Sequence, residues 1–432
     1  MRNFLSTRYL RTIKVTSARW QRRTLFVVGG ITIGASAVGL ALSADWVQAW
    51  FGELVARWRY ASLAVTPLGF AVSVYLTNHY FQNSQGSGIP QAIAARELED
   101  QEARGRLVSI RIAVGKILLT LLGLLCGASV GREGPTVQVG ASIMFAIGRF
   151  SPRRQPGLIL AGAAAGVAAA FNTPLAGIVF GIEEMSRAFE TRTSGLVIAT
   201  VIAAGLTSLA LVGNYSYFGS TPAVLRNGID WIAIPICGVA GGLAGGLFSQ
   251  IVIVVARGLP GLIGRHIKHN PVGFALVCGL GVAICGIISG DTVYGTGYAQ
   301  VKTALETGAP LAANFGPLKF IATTLSTISG IPGGIFAPSL AVGAGLGANI
   351  AHFFPGAPIA PIILLGMVSY FAGVVQAPIT AFVIVTEMTD NHAMVIPLMC
   401  ASLIAYAASR IVCPEGIYHA LAKGFAHPHE AH

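Results

Sequence analysis

Residues 131–135 read Gly-Arg-Glu-Gly-Pro and stand between two long apolar runs, 117–128 and 136–147. Runs of this kind have the composition of membrane helices. Arg132 and Glu133 then lie at hydrocarbon depth, where each charge costs a few kcal/mol. Glycine and proline on both sides break the backbone there and free its amides. In a bilayer, backbone that leaves the helix is tolerated only where it is buried in protein or lines a cavity. A broken helix carrying a carboxylate and a guanidinium therefore reads as the place where a small charged substrate is handled.

Composition agrees with a membrane setting. Charged residues make up 10% of the 432 residues and hydrophobic ones 54%, against roughly a quarter charged in a soluble domain. Several apolar segments are shorter than the ~20 residues of a full span. The net charge of +11 is not a nucleic-acid signature, because no basic run carries interleaved aromatics. Arg2, Arg8, Arg11, Lys14, Arg19, Arg22 and Arg23 precede the first apolar run without an acid, which places the N-terminus in the cytoplasm. Arg257, Arg265 and Lys268 mark a further cytoplasmic loop. The basic lead, the run 25–42 and Ala41-Leu42-Ser43-Ala44 have the outline of a cleaved signal. The apolar run is too long for a usual signal core, so a retained first span is expected. The six cysteines never form CxxC and read as small buried hydrophobes. No HExxH pair occurs, and His427, His429 and His432 read as a tail. No metal site and no cofactor is expected.

The chain repeats itself. Gly131-Arg-Glu-Gly-Pro135-Thr-Val-Gln-Val-Gly140-Ala returns as Gly334-Ile-Phe-Ala-Pro338-Ser-Leu-Ala-Val-Gly343-Ala. Thr173-Pro174-Leu175 with Glu184-Met185 is echoed by Ala377-Pro378-Ile379 with Glu387-Met388 after a one-residue slip. A basic segment 1–24, one transmembrane domain 25–425 with halves of about 25–213 and 229–425, and a tail 426–432 are expected. The connecting loop 212–230 is poor in Lys and Arg, which puts it outside. An odd number of crossings in the first half then inverts the second, the plan of many transporters. In that register Glu133 faces Phe336 across a pseudo-two-fold axis. Glycines at 162 and 166, 241–246 and 343–347 are expected to let helices pack closely.

Three interrupted loops combine flexible backbone with a proline able to occupy a first helical turn: Gly86-Ser87-Gly88-Ile89-Pro90, Gly131–Pro135 and Gly334–Pro338. Converging helix N-termini favour an anion. Lys116 and Arg132 add potential of the same sign. Glu183 and Glu184, about 100° apart on a helix, cannot share a role. Glu183 precedes Arg187 by four residues, the order of a helix-surface ion pair. That makes Glu183 structural and leaves Glu184 for protons; Glu387 reads as structural. Gly127-Ala128-Ser129-Val130-Gly131 also fits the G-x-S-x-G elbow of serine hydrolases. That chemistry needs a histidine base near Ser129, which the apolar helices do not supply, so an enzyme is not expected.

GSGIP at 86–90, GREGP at 131–135 and GIFAP at 334–338, in that order, resemble the CLC family of chloride channels and chloride/proton antiporters. Phe171–Gly177 followed by Glu183-Glu184-Met185, and Glu387-Met388-Thr389-Asp390, are also similar to it. The resemblance runs from about 60 to 424. It implies an all-α fold of tilted, broken helices in an inverted repeat, acting as a homodimer with two separate pathways in a bacterial plasma membrane. It implies that Ser87, the amides of Ile335 and Phe336, and the Tyr418 hydroxyl hold chloride, with Gly86, Gly88, Arg132, Gly134 and Lys116 in support. It further implies that Glu133 is the gating carboxylate and that Glu184 passes protons inside. Bland readings stand beside these: Ser87 as a cap for the helix near Ile89, Tyr418 as an interfacial tyrosine, and Phe336 as core. Chloride/proton exchange is the expected function, with a passive chloride channel as the alternative. The chain ends near the last apolar helix, so cytoplasmic regulatory domains and nucleotide control are not expected.

Overall fold

The computed structural model describes residues 2–150, 154–186, 191–213, 216–226 and 228–426. The first half comprises α1 (Arg2–Arg57), α2 (Ser62–Tyr80), α3 (Ile89–Glu97), α4 (Gln101–Leu107), α5 (Ile110–Leu125), α6 (Glu133–Ile147), α7 (Gln155–Phe171), α8 (Pro174–Phe180) and α9 (Thr191–Val212). The second comprises α10 (Ala233–Arg257), α11 (Gly261–His269), α12 (Pro271–Ser289), α13 (Tyr298–Thr307), α14 (Phe315–Ile328), α15 (Phe336–Ala351), α16 (Ile359–Val375), α17 (Pro378–Thr389), α18 (Val395–Val412) and α19 (Ile417–Ala426). Among the described residues, five helical stretches are long and apolar enough to cross a membrane, and five further apolar helices are shorter. The fold is a polytopic all-α one in which short helices end inside the protein.

Sequence explains many of these ends. Prolines occupy the first turn of α3, α7, α8, α12 and α17, where the missing N–H costs nothing. Asp100 and Ser109 cap α4 and α5 by accepting from the amides of Ala103 at 2.8 Å and Ile112 at 3.5 Å. Six cysteines are unpaired, and all but the half-buried Cys400 are buried.

The two halves meet about a pseudo-two-fold axis. At its centre Gly131 and Gly334 exchange two backbone hydrogen bonds, each 2.7 Å long. Around it α2 packs on α12, α6 on α15 and α8 on α17. Within each half, a helix pair comes together through small residues, α6 with α7 and α15 with α16. Gly140 and Gly162 lie backbone to backbone, as do Gly343 and Gly366, so a methyl group at any of them would strike a carbonyl of the facing helix. Gly241 and Gly245 of α10 lie as close to Tyr370 of α16, where a methyl would stand 2.7 Å from its amide nitrogen and 2.6 Å from its oxygen. Close packing is thus what these glycines provide.

Candidate functional site

The loop before α3 is held from below by a lysine. Gly86 and Gly88 adopt positive φ of 62° and 93°, which only glycine takes without strain. The Lys116 ammonium, fully buried, donates to the carbonyls of Ser84 at 2.6 Å, Gly86 at 2.7 Å and Gln85 at 3.4 Å. Lys116 therefore braces the loop, and its charge comes to lie beneath Ser87. The Ser87 hydroxyl accepts from the amide of Ile89 at 3.3 Å, so the capping role is real. A methyl group at Gly134 would stand 2.8 Å from the Ser87 carbonyl and 3.2 Å from Cα of Gly334. The three predicted loops are thus packed against one another.

A fourth loop went unread in the sequence. Gly295-Thr296-Gly297 repeats the positive φ pair at 63° and 79° ahead of α13. Lys319, also buried, donates to the carbonyls of Val293 at 2.8 Å and Gly295 at 2.7 Å. The signal was present: Lys319 stands as far beyond Lys116 as Gly334 beyond Gly131. In this counterpart the Thr296 amide is occupied by the carboxamide oxygen of Gln48 at 3.1 Å. Among the described residues, the Ser87 amide has no such side-chain acceptor.

Glu133 begins α6 and is wholly buried. Its carboxylate lies over Gly131, where any side chain would collide with it, and the amides of Glu133 and Ala337 are close enough to act on it. The N-termini of α6 and α15 thus both bear on one carboxylate, a charge of the sign that such ends hold best. Phe336 turns its ring away into an aromatic cluster, with Phe371 at 4.9 Å and Phe171, Phe180 and Tyr418 each at 6.0 Å between ring centres. Its side chain is core, and only its backbone belongs to the broken region. Tyr418, on α19 packed against α3, is fully buried, and its hydroxyl has no hydrogen-bond partner among the described residues. An unmet buried hydroxyl costs about 1–3 kcal/mol, which a ligand would relieve.

Two partners of the Arg132–Glu133 pair come from far along the chain. The hydroxyl of Tyr217, in the segment joining the halves, donates to Glu133 Oε1 at 3.0 Å. The Arg132 guanidinium donates to the Ala41 carbonyl at 2.6 Å and to Asp45 Oδ1 at 2.7 Å, and lies 5.7 Å from the Tyr217 ring centre. Its charge is therefore shared with Asp45 on α1 rather than left to the loops alone.

Glu184 lies on the π-helical turn Gly181–Ser186 that extends α8. It is buried at one edge of a cavity of about 490 Å³ that Gln376, Tyr406, Arg410, Glu415, His419 and Lys423 also line. His419 Nε2 lies 2.9 Å from the Glu184 carbonyl and 3.7 Å from its Oε1. Glu183 also borders this cavity, but its carboxylate is engaged: it accepts from the amides of Ile379 at 3.1 Å and Thr380 at 2.6 Å, capping α17. Glu387 returns the favour on α8, accepting from Leu175 at 3.2 Å and Ala176 at 2.6 Å. Glu183, not Glu184, is thus the counterpart of Glu387, and the repeat needs no one-residue slip here. The pairing expected of Glu183 with Arg187 lies outside the described residues, as do the tail histidines. Ser129, the candidate hydrolase nucleophile, shares its hydroxyl with Thr323 at 2.9 Å and is fully buried. Among the described residues no cluster of His, Cys, Asp and Glu is suited to a metal.

The sequence pattern of the family described as voltage gated chloride channel matches residues 68–410. The H(+)/Cl(-) exchange transporter ClcA of Yersinia pseudotuberculosis serotype IB is 32% identical over 430 residues, spanning 91% of this chain and 85% of that protein. The protein of the same name from Vibrio vulnificus is 30% identical, spanning 87% of this chain and 82% of its own. Among solved structures, a slow cyanobacterial Cl−/H+ antiporter superposes with a TM-score of 0.79 at 24% identity, covering 94% of this chain and 98% of that one. A CLC-type fluoride/proton antiporter superposes with a TM-score of 0.78, also at 24% identity, covering 92% and 96%.

Proposed function

The chain belongs to the voltage gated chloride channel family, and on that premise we propose that it exchanges chloride for protons across the membrane. One observation carries the reading: a buried carboxylate, Glu133, lies where two helix N-termini converge. Such a place suits a chloride ion as well as a carboxylate, and the two exclude each other. Protonation removes the carboxylate's charge and with it the attraction, so the side chain can leave and an anion can enter. Proton uptake and anion entry then become one event. On this reading Ser87, the amides of Ile335 and Phe336, and the unmet Tyr418 hydroxyl hold the anion, with Gly86, Gly88, Gly134 and Lys116 shaping the loop.

A second buried carboxylate supports exchange over a passive channel. Glu184 at the edge of the 490 Å³ cavity gives protons a separate entrance, which a channel does not need. The cavity's Arg410 and Lys423 suit the cytoplasmic side, in keeping with an N-terminus inside and the 212–230 segment outside. We assign one transport domain to 25–425, a plasma-membrane location, and action as a homodimer in the lipid bilayer, with no cofactor. Purified protein in liposomes loaded with chloride tests the exchange. Protons should be drawn inward, against their gradient, by chloride efflux alone; brisk chloride efflux with no proton movement would leave a channel.

A further inference from the structure

Tyr217 sits where nothing about anion conduction requires a residue. It belongs to the segment between α9 and α10, yet its side chain is buried at 1% exposure. Aromatic edges fix its ring: Phe171, Phe218 and Tyr298 lie 5.5, 5.0 and 5.1 Å away between centres. The Phe218 amide donates to the Met388 carbonyl at 2.9 Å, which ties the segment to the end of α17. The ring therefore has little freedom, and its hydroxyl is delivered to Glu133 Oε1 at 3.0 Å.

We propose that Tyr217 is an outer latch on the Glu133 gate, a positioning residue that holds the ionised side chain in place and lets it go on protonation. The proposal rests on the gating role of Glu133. A phenol donates a stronger hydrogen bond to a carboxylate than to a neutral carboxyl group. The latch is therefore tight while Glu133 is charged and slack once it carries a proton. No bond is made or broken at the tyrosine; it biases one equilibrium. The charge of Arg132 and the amides of Glu133 and Ala337 also act on the carboxylate, but among the described residues Tyr217 is the one side chain that gives it a hydrogen bond. Arg132 is turned to Ala41 and Asp45, Tyr298 contributes a ring edge to Tyr217, and Tyr418 acts on Glu133 only at longer range. Lys116 is spent on the loop carbonyls. Two functions follow for one side chain: the latch slows opening, and it makes the gate harder to protonate from outside.

Tyr217→Phe removes the hydroxyl and keeps the packing. In liposomes, the dependence of exchange on outer pH should move toward alkaline values by about one unit, the scale of one hydrogen bond to a charged group. Exchange at neutral outer pH should rise about three- to ten-fold. A Glu133→Gln background has no carboxylate to latch, so Tyr217→Phe should alter chloride flux there by less than about two-fold. An outer-pH profile that overlays the native one would overturn the proposal, as would an equal change in both backgrounds. Extraction yield and melting temperature of Tyr217→Phe report whether packing survived. Should the native protein carry chloride without protons, the exchange reading fails by itself. The latch would then still be read in the outer-pH dependence of chloride flux.

Discussion

Glu183 and Glu387 are each bound to two backbone amides of the opposite half, which makes their replacement a sharp test of how roles divide along the chain. In Glu183→Gln the carboxylate that accepts from Ile379 at 3.1 Å and Thr380 at 2.6 Å becomes an amide with one acceptor. One charge-assisted bond becomes a neutral one and the other is lost. At about 1.5–3 kcal/mol for a bond to a charged group and about 1 for a neutral one, the net cost is about 2–5 kcal/mol. Glu387→Gln, facing Leu175 at 3.2 Å and Ala176 at 2.6 Å, should cost the same. The two caps serve one contact between α8 and α17, so the double variant should be less destabilised than the sum of the singles. Thermal melts of the detergent-purified protein measure this, with chloride and proton fluxes recorded on the same samples. Both single variants should melt lower yet keep the native proton-to-chloride ratio. A Glu183→Gln protein that melts like the native one but moves no protons would refute the division, because it would give Glu183 the role assigned to Glu184.

Three further outcomes follow from the same geometry. Glu184→Gln should abolish proton movement while chloride flux persists and still depends on outer pH, since Glu133 remains; paired liposome assays of both ions read this. Ser87→Pro removes the hydroxyl that caps Ile89 together with an amide donor, and should shift preference from chloride toward nitrate with exchange retained, measurable by calorimetric titration of each anion. Lys423 at 2.9 Å and Arg257 at 3.0 Å hold the Glu415 carboxylate below its ordinary range. A depressed acid contributes stability above about pH 4 and loses it as pH falls further. Glu415→Gln should therefore melt slightly below the native protein at neutral pH, with the gap closing below pH 4.

The parts of the site written in contiguous residues were legible. Gly131–Pro135 announced a broken helix because charge, glycine and proline occur together, and the repeat at Gly334 placed Phe336 opposite Glu133. Side chains that arrive from distant elements were not. Tyr217 looked like one more loop aromatic, because nothing local marks a ring that will be buried against Phe171 and aimed at Glu133. Asp45 and His419 lie far in sequence from the Arg132 and Glu184 they meet. The Gly295–Gly297 loop lacks the proline that marks the other three, because Ala299 stands in the place of Pro90. Glu-Met occurs in both halves, at 184–185 and 387–388, one residue out of step with Pro174 and Pro378. Which of two adjacent glutamates turns toward the facing helix depends on the π-helical turn at Gly181–Ser186, a backbone feature that sequence patterns do not announce.

If the Glu133 carboxylate and chloride compete for one place, binding the anion must load the carboxylate with a proton. Chloride added to purified protein in weakly buffered solution tests this without any flux. The native protein should take up protons as chloride binds, raising the pH of the solution in proportion to the anion bound. Glu133→Gln should bind chloride with no proton uptake. Chloride binding by the native protein with an unchanged pH across the titration would show that the two do not share a place.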